Sequence, residues 1–427
     1  MSSIQQQIAS AWNIPDLKKR LYFVLWSLTI FVVGTHIPAP GMDENLISQF
    51  FSNAGGLFDL LDLFGGGALK RFSILALGIM PYINASIMMQ LLVAIYPQLK
   101  EIQQEGESGQ RQIGRYTRWL TVFLAFLQGA GLIMFIQNGQ LIREPGFAGI
   151  LNFLVLICSV VAGTMFLMFL GDEITRKGIG NGVSLIITIG IIARIPAQLA
   201  QELLIVTRQT GQAWNLLVFI VFCIVIVTGV VFIQLAVRKI PIHYARRQVG
   251  RRIYGGQQTY LPIRLLQAGV IPIIFATSIL MVPATIAGFL PDPNMRNLIQ
   301  QFQGSFWFSV VEFVLIIIFT FVYTAITFNT EDIANNLKKN GGFIPGIRPG
   351  KPTFEFLDKV LHRVTFFGAI ALALIAILPT VVIQITDIQS FWLGGTSLLI
   401  VVGVALDTVQ QLQAHLVMRH YTGFTKA

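Results

Sequence analysis

Apolar residues along this chain fall into ten long stretches, separated by shorter polar and charged segments. Most of these stretches match the roughly 20 apolar residues that a helix needs to cross a bilayer. They lie near 21–37, 72–97, 118–137, 147–170, 183–205, 214–237, 265–290, 305–328, 364–386 and 391–412. The pattern therefore predicts an all-α polytopic membrane protein with ten transmembrane helices.

Composition supports the same class of protein. Charged residues make up 12% of the 427 positions and hydrophobic residues 54%, against globular averages of about 25% and 45–50%. The two cysteines, Cys158 and Cys223, lie inside predicted spans without the spacing of metal ligands. The five histidines are scattered and lack zinc spacing. We therefore expect no metal, no cofactor and no hydrolytic activity in this chain.

The basic residues predict the orientation of the chain in the membrane. The terminal segments and the loops 98–118, 172–181, 238–264 and 329–363 hold all but six of the 30 Lys and Arg. With an even number of spans these segments all face one side, and positive charge marks the cytoplasmic side. Both termini are therefore expected inside. The first apolar stretch has no small-residue cleavage site, so no removable signal peptide is expected.

A short apolar segment and a glycine run precede the second stretch. Residues 57–64 would form about two helical turns, and the next three residues are all glycine. A half-length helix at membrane depth leaves backbone groups that lipid cannot satisfy, so it belongs inside protein or beside a water-filled cavity. This pattern indicates a conduit. Downstream, Ile79, Ile83 and Ile87 would share one helix face. Pro81, Pro272 and Pro283 are expected to weaken the helices of spans two and seven.

Several short motifs in a fixed order are similar to the bacterial SecY family, whose members are channel subunits of the general protein-secretion translocase. The similarity extends from Ile14-Pro15 to Gly423. The motifs are Gly66-Gly67-Ala68-Leu69, Phe72 to Ile83, Glu105 to Gly109, Gly178-Ile179-Gly180-Asn181-Gly182, Tyr244 to Arg247, Tyr254 to Gln257, Phe343 to Gly350, and Gly394 to Ile400.

The resemblance implies two pseudo-symmetric inverted halves around a central pore, with a re-entrant plug helix. The expected divisions are a cytoplasmic N-terminus 1–20, a first half 21–197 with the plug at 57–70, an external hinge loop 198–213, a second half 214–412 and a cytoplasmic tail 413–427. The second half would contain the cytoplasmic loops 238–264 and 329–363.

The resemblance also implies functional residues. A ring of apolar side chains would seal the pore by excluding water, and it would consist of Ile79, Ile83, Ile187, Ile191, Ile274 and Ile400. The plug would sit beneath it and consist of Leu57, Phe58, Leu60, Leu61, Leu63, Phe64, Gly65, Gly66 and Gly67. A lateral gate between spans two and three and spans seven and eight would carry the polar residues Asn84 and Gln128, for which ordinary interhelical bonding is the alternative.

The two long loops carry more basic residues than orientation requires. Such loops suit an acidic or phosphate-rich partner. By resemblance they would dock the ribosome and the motor ATPase SecA through Arg251, Arg252 and Arg348, while the other charges serve topology or lipid headgroups. Further implied partners are a SecE-type and a SecG-type membrane subunit, polypeptides bearing signal sequences, and membrane lipids.

Two other functions remain open at this point. A secondary transporter of a small solute would also have ten spans and glycine-broken helices, but coupled carriers usually place charge near mid-membrane. Here Glu312, Asp407 and Arg194 lie toward span ends, where Arg194 could extend its guanidinium to the interface. A non-conducting scaffold for an insertase is the other alternative. The expected location is a bacterial plasma membrane. A thylakoid location is disfavoured because no transit peptide precedes the first span.

Overall fold

A computed structural model of the chain describes most of its residues. The described residues are 15–40, 62, 65–138, 147–208, 213–244, 247–249, 252–254, 258–289, 301–302, 305–386 and 395–424. Most of them are helical. Positions 57–61, 63 and 64 of the predicted plug, together with Arg251, lie outside this part of the chain.

Twelve named helices lie in the described residues. They are α1 Pro15–Gly34, α2 Met80–Ile95, α3 Pro97–Gln104, α4 Glu107–Asn138, α5 Phe147–Lys177, α6 Gly182–Arg208, α7 Ala213–Leu235, α8 Ile271–Phe289, α9 Phe306–Thr327, α10 Thr330–Lys339, α11 Lys351–Thr386 and α12 Gly395–Phe424. Among the described residues, five helical segments are long and apolar enough to cross a membrane by length and composition. These are Glu107–Met134, Gly149–Lys177, Phe306–Lys339, Lys351–Leu378 and Ser397–Ala414.

The N-terminal helices α1–α6 and the C-terminal helices α7–α12 meet along two contact regions. In the first, α8 packs against α2 and α4, and in the second, α12 packs against α6. One large hydrophobic cluster contains buried residues from both sets of helices. The chain therefore folds as two groups of helices that share a common apolar core.

The second predicted span is helical only in its later part. Residues 66–79 form turns, and α2 begins at Met80. Pro81 lies in the first turn of α2 and Pro272 in the first turn of α8, where a missing N–H costs no helical hydrogen bond. The expected weakening at these two prolines is therefore wrong, whereas Pro283 does lie inside α8.

The starts of α2 and α8 share a local sequence and conformation. Gly78-Ile79-Met80-Pro81 precedes and enters α2, and Gly269-Val270-Ile271-Pro272 precedes and enters α8. Both glycines have a positive φ, 58° at Gly78 and 60° at Gly269, a conformation that side-chain-bearing residues rarely adopt. The same Gly-x-x-Pro sequence thus ends an irregular segment and starts a helix in each half of the chain.

Helices also replace much of the loop structure that the sequence predicts. The segment expected as a hinge loop, 198–213, is helical through Arg208 because the residues after Pro196 are mostly Ala, Gln, Glu and Leu, which are strong helix formers. The predicted tail is likewise helical as far as Phe424. In the loop 98–118, α3 and the start of α4 occupy most of the positions.

The all-α prediction misses five short strands. Strands β1 Val237–Tyr244 and β4 Gln258–Arg264 pair in antiparallel fashion, and β5 Gly342–Phe343 pairs with the other edge of β1. At the tip of the hairpin, β2 Arg247–Val249 pairs with β3 Arg252–Tyr254. The sheet therefore joins the two long basic loops, which were predicted from the sequence as separate loops.

Strands β1 and β4 and the residues that flank β5 share an apolar core of their own. Along β1, Ile240 and Ile242 are buried and alternate with partly or fully exposed residues, as expected for a sheet covered on one face. They cluster with Ile263, Leu337, Ile344, Leu357 and Leu361 from β4, α10, the β5 flank and α11. We call the five strands together with α10 and the first three turns of α11 the sheet unit. It is a packed structure.

Truncation of Ile263 tests whether this core holds the two basic loops together. Ile263 is 0% exposed, so Ile263→Ala removes buried contacts and should destabilise the sheet unit by roughly 2–5 kcal/mol. Trypsin should then cleave the arginine-rich hairpin faster in the purified protein. Tyr260→Ala on the same strand is the control, because Tyr260 is 59% exposed. Equal cleavage rates for both variants would contradict a packed unit.

Candidate functional site

The structure brings all six predicted ring isoleucines into one buried cluster. Their exposed fractions lie between 0% and 6%, and all belong to the cluster shared by the two groups of helices. They come from four chain regions, namely α2 with its N-terminal flank, α6, α8 and α12. Isoleucine suits such a position because its branched Cβ leaves few rotamers and gives a firm apolar surface.

One face of α6 continues from these isoleucines toward the glycine run. Ile187, Ile191 and Arg194 follow one another at intervals of four and three residues and therefore share a helix face, and Gly190 lies three residues after Ile187 and four before Arg194. A Cβ placed on Gly66 would lie 3.1 Å from the Cα of Gly190. Since Gly66 also has a φ of 68°, any side chain there would be strained and crowded. The two glycines let the backbone of the predicted plug approach α6 closely at Gly66.

The residues just after the glycine run join the same apolar core. Ala68 is 0% exposed and lies in the cluster that contains the six isoleucines. Gly65, Gly66 and Gly67 are the three predicted plug residues that the structure describes. Their contacts place the end of the predicted plug against the helix that carries Ile187 and Ile191.

A buried ion pair at this position was missed by sequence reasoning. The Asp62 carboxylate is 0% exposed, and its Oδ2 lies 3.5 Å from Nη1 of Arg194. The expectation that Arg194 reaches the membrane interface is therefore wrong, because its side chain is only 15% exposed and turns toward Asp62. A signal was available. Asp62 and Arg194 are opposite charges in largely apolar segments, where an unpaired charge is costly.

Asp62 also organises the segment that follows it. Its Oδ1 accepts hydrogen bonds from the backbone N–H groups of Leu69, at 2.8 Å, and Lys70, at 3.3 Å. The carbonyl of Asp62 accepts a further bond from the N–H of Gly67. One carboxylate thus closes the turn at 62–70 and faces an arginine of α6.

The two predicted gate residues lie on helices that contact α8. Asn84 is on α2 and Gln128 on α4, and both are partly buried. Both α2 and α4 pack against α8. Within the described part of the chain no hydrogen bond joins either side chain to α8. A second acidic residue, Glu312 in α9, is 7% exposed, deeper than its position near the start of the predicted span suggests.

The predicted docking residues lie in the sheet unit where they are described. Arg348 is exposed in a turn between β5 and α11 that contains Gly346 and Gly350, both with positive φ. Its carbonyl accepts a 2.8 Å hydrogen bond from the Thr353 hydroxyl, which fixes the turn against α11. Arg252 begins β3, next to Arg251. No group of acidic, histidine or cysteine side chains that could hold a metal occurs among the described residues.

Comparison with protein families identifies a match over most of the chain. The SecY family model matches residues 73–409. The protein translocase subunit SecY of Thermotoga maritima is 41% identical over 430 residues, covering 99% of this chain and 98% of that protein. The SecY of Aquifex aeolicus is 40% identical over 433 residues, with 99% and 100% covered.

Comparison with solved structures supports the same fold. The structure of a protein-conducting channel aligns with a TM-score of 0.65 at 17% identity, covering 94% of this chain and 93% of that one. Sec61 in the canine ribosome–channel complex from the endoplasmic reticulum aligns with a TM-score of 0.61 at 16% identity, covering 94% and 93%. At these identities the structural matches establish the fold alone.

Proposed function

The chain belongs to the SecY family and forms a protein-conducting channel in the membrane, and we propose that it moves unfolded secretory polypeptides outward and releases apolar segments sideways into the lipid. The observation that carries this proposal is the single buried cluster that holds Ile79, Ile83, Ile187, Ile191, Ile274 and Ile400. These side chains form the pore ring in the closed channel. A narrow apolar ring excludes water and ions, yet its side chains can move apart for a peptide.

In this proposal the channel has ten spans in two inverted halves, with both termini cytoplasmic. Support comes from the shared Gly-x-x-Pro starts of α2 and α8 and from the two contact regions between the helix groups. The positive charge concentrated in the sheet unit supports its placement on the cytoplasmic side. The first half, 21–197, and the second half, 214–412, are joined through 198–213, part of which continues α6.

The contact of α8 with α2 and α4 forms the lateral gate. A peptide segment that enters the pore reaches lipid when these helices separate. Asn84 and Gln128 line the first side of this gate. Their partly buried amides would be hydrated once α8 moves away, which favours the open state over a fully apolar contact.

The proposed partners act at different parts of the channel. The Arg-rich sheet unit docks SecA and the ribosome, supported by the ribosome complex of the structurally similar Sec61. A SecE-type subunit clamps the two halves, and a SecG-type subunit joins the complex. SecA with ATP, the elongating ribosome and the membrane potential supply the energy, and the channel itself catalyses no reaction. The membrane is the plasma membrane of a bacterium.

A coupled transporter is not favoured. The family match extends over residues 73–409, and the relatives are translocase subunits over nearly their whole length. The Asp62 carboxylate and the Arg194 guanidinium also neutralise each other beside the glycine run.

Reconstitution tests the proposed function directly. The purified chain would be placed in vesicles with a SecE-type partner, SecA, ATP and a signal-bearing precursor. We expect the precursor to become protected from protease inside the vesicles only when all components are present. Solute uptake without precursor movement would instead support a carrier, and no flux of either kind would support a scaffold.

Deletion of Asp59 to Gly67 tests the plug. A re-entrant segment contributes little to the helix bundle, so the variant should assemble and translocate precursor. Its resting ion conductance should rise roughly tenfold or more, since nothing blocks the outer side of the ring. Single-channel recording and precursor import measure the two properties. Loss of membrane assembly would show that the segment is a packing element rather than a plug.

A further inference from the structure

We propose that the ion pair between Asp62 and Arg194 holds the plug in its closed position against α6. This inference rests on the proposed function, because it assumes that the segment at 57–70 closes the pore. It adds the specific contact that must break when the plug leaves. The two residues belong to different elements, since Asp62 moves with the plug and Arg194 is fixed in α6.

The two carboxylate oxygens of Asp62 make different contacts. Oδ1 accepts the N–H groups of Leu69 and Lys70 and so belongs to the internal structure of the plug. Oδ2 has no hydrogen-bond partner in the described part of the chain and faces the Arg194 guanidinium at 3.5 Å. One oxygen therefore maintains the turn while the other carries the contact to α6.

The ion pair is buried inside the protein. The Asp62 side chain is 0% exposed and that of Arg194 is 15% exposed. A buried carboxylate without its counter-charge is strongly unfavourable. Once the pair breaks, Asp62 can be hydrated only if the plug moves toward water. The ion pair therefore forms when the plug lies against α6. When the plug is displaced, the pair is broken and both side chains are hydrated.

A close backbone approach supports the same contact independently of charge. Gly66 lies against Gly190, one turn before Arg194 on the same face of α6. This close backbone approach brings Asp62 within reach of the arginine. Ile187 and Ile191 flank Gly190 on this face, so a rearrangement of the ring at α6 would also shift the arginine that holds the plug.

Neutral substitutions separate the two roles of Asp62. Asp62→Asn keeps an acceptor oxygen for Leu69 and Lys70 but removes the ion pair, and closed-channel conductance should rise roughly threefold. Arg194→Gln leaves the carboxylate buried and unpaired, so conductance should rise about tenfold or more. The double variant Asp62→Asn with Arg194→Gln should leak less than Arg194→Gln alone, because no unpaired charge remains.

Arg194→Lys and Arg208→Gln are the controls. The first keeps a positive charge and should stay within about twofold of the parent. The second removes the other arginine of α6 and should leave conductance unchanged. The measurement is single-channel conductance in the complete reconstituted channel with its SecE-type partner, with the Asp59–Gly67 deletion recorded beside it.

The conductances of these variants, compared with that of the deletion, distinguish this proposal from the plug assignment itself. If the deletion leaks and the double variant leaks at least as much as Arg194→Gln, the ion pair does not hold the plug. If Arg194→Gln fails to assemble, a leak in Asp62→Asn supports the proposal, and parental conductance in Asp62→Asn overturns it. A deletion that does not leak removes the plug from the proposed function, and the ion-pair proposal fails with it.

Discussion

Replacement of Ile274 or Ile400 with Asn will raise the ion conductance of the resting channel. Both side chains are buried in the shared cluster, with exposed fractions of 6% and 0%. An amide at either position needs hydrogen-bond partners, and an apolar cluster offers none, so water must enter with it. The closed state should lose roughly 1–3 kcal/mol, which corresponds to about a 5- to 150-fold shift toward wetted states.

The same variants should admit precursors with defective signal sequences, because less binding energy is then needed to open the channel. Ile279→Asn is the matched control, since Ile279 also lies on α8 but is 38% exposed. It should affect assembly more than conductance. If single-channel conductance stays at the parental level for both Ile274→Asn and Ile400→Asn, these residues do not form the ring.

The spans were predictable because lipid imposes a strong and simple constraint. A helix that crosses hydrocarbon must be apolar over its length, so the stretches at 118–137, 147–170 and 305–328 each coincide with a helix of the structure. The choice of these six isoleucines as a ring rests on the family resemblance alone. Isoleucine is common in every membrane helix, and nothing in the periodicity separates a ring position from an ordinary core position.

The missed features depend on contacts between distant residues. The sheet unit forms because β1 pairs with both β4 and β5, and β5 lies about eighty positions farther along the chain. Its short strands lie in loops whose most obvious feature in the sequence is their many basic residues. The Asp62–Arg194 pair joins residues from distant parts of the chain. Local pattern alone cannot choose among such pairings.

The predicted starts of α2 and α8 are too early for a local reason. The apolar stretch at 72–97 is continuous in hydropathy, so it predicts a helix from its first residue. Gly78 and Pro81 instead favour a turn followed by a helix N-terminus, as Gly269 and Pro272 do before α8. Hydropathy measures where a segment prefers to lie, whereas these residues determine where the helix begins.

The sheet unit changes what is expected of its two basic sites. Arg348 lies in a turn directly after β5, and Arg252 begins β3 at the tip of the β1–β4 hairpin. Because β5 pairs with β1, the turn of Arg348 lies beside the hairpin whose tip carries Arg252. The two sites therefore belong to neighbouring parts of the fold, although they lie on different loops of the sequence.

Arg348→Glu should severely impair SecA-driven export. The turn around Arg348 is fixed by two glycines with positive φ and by the bond from Thr353 to the Arg348 carbonyl. A guanidinium held outward in this way can meet a carboxylate with two parallel hydrogen bonds. Loss of such a charge pair costs about 2–5 kcal/mol, so import into vesicles should fall at least about tenfold.

The comparison with the hairpin tip separates the two docking roles. Arg251→Glu with Arg252→Glu should mainly weaken ribosome binding, and the slope of log affinity against log salt should decrease by roughly 1.4 for two lost phosphate contacts. Lys359→Glu is the control for net charge, because Lys359 is exposed on α11 of the same unit. Co-sedimentation with ribosomes across a salt series, together with SecA-dependent import, gives both measurements.

None of these changes touches the isoleucine cluster, so resting conductance should match the parent. Parental binding and import in both variants would mean that the basic residues of the sheet unit serve only to orient the chain.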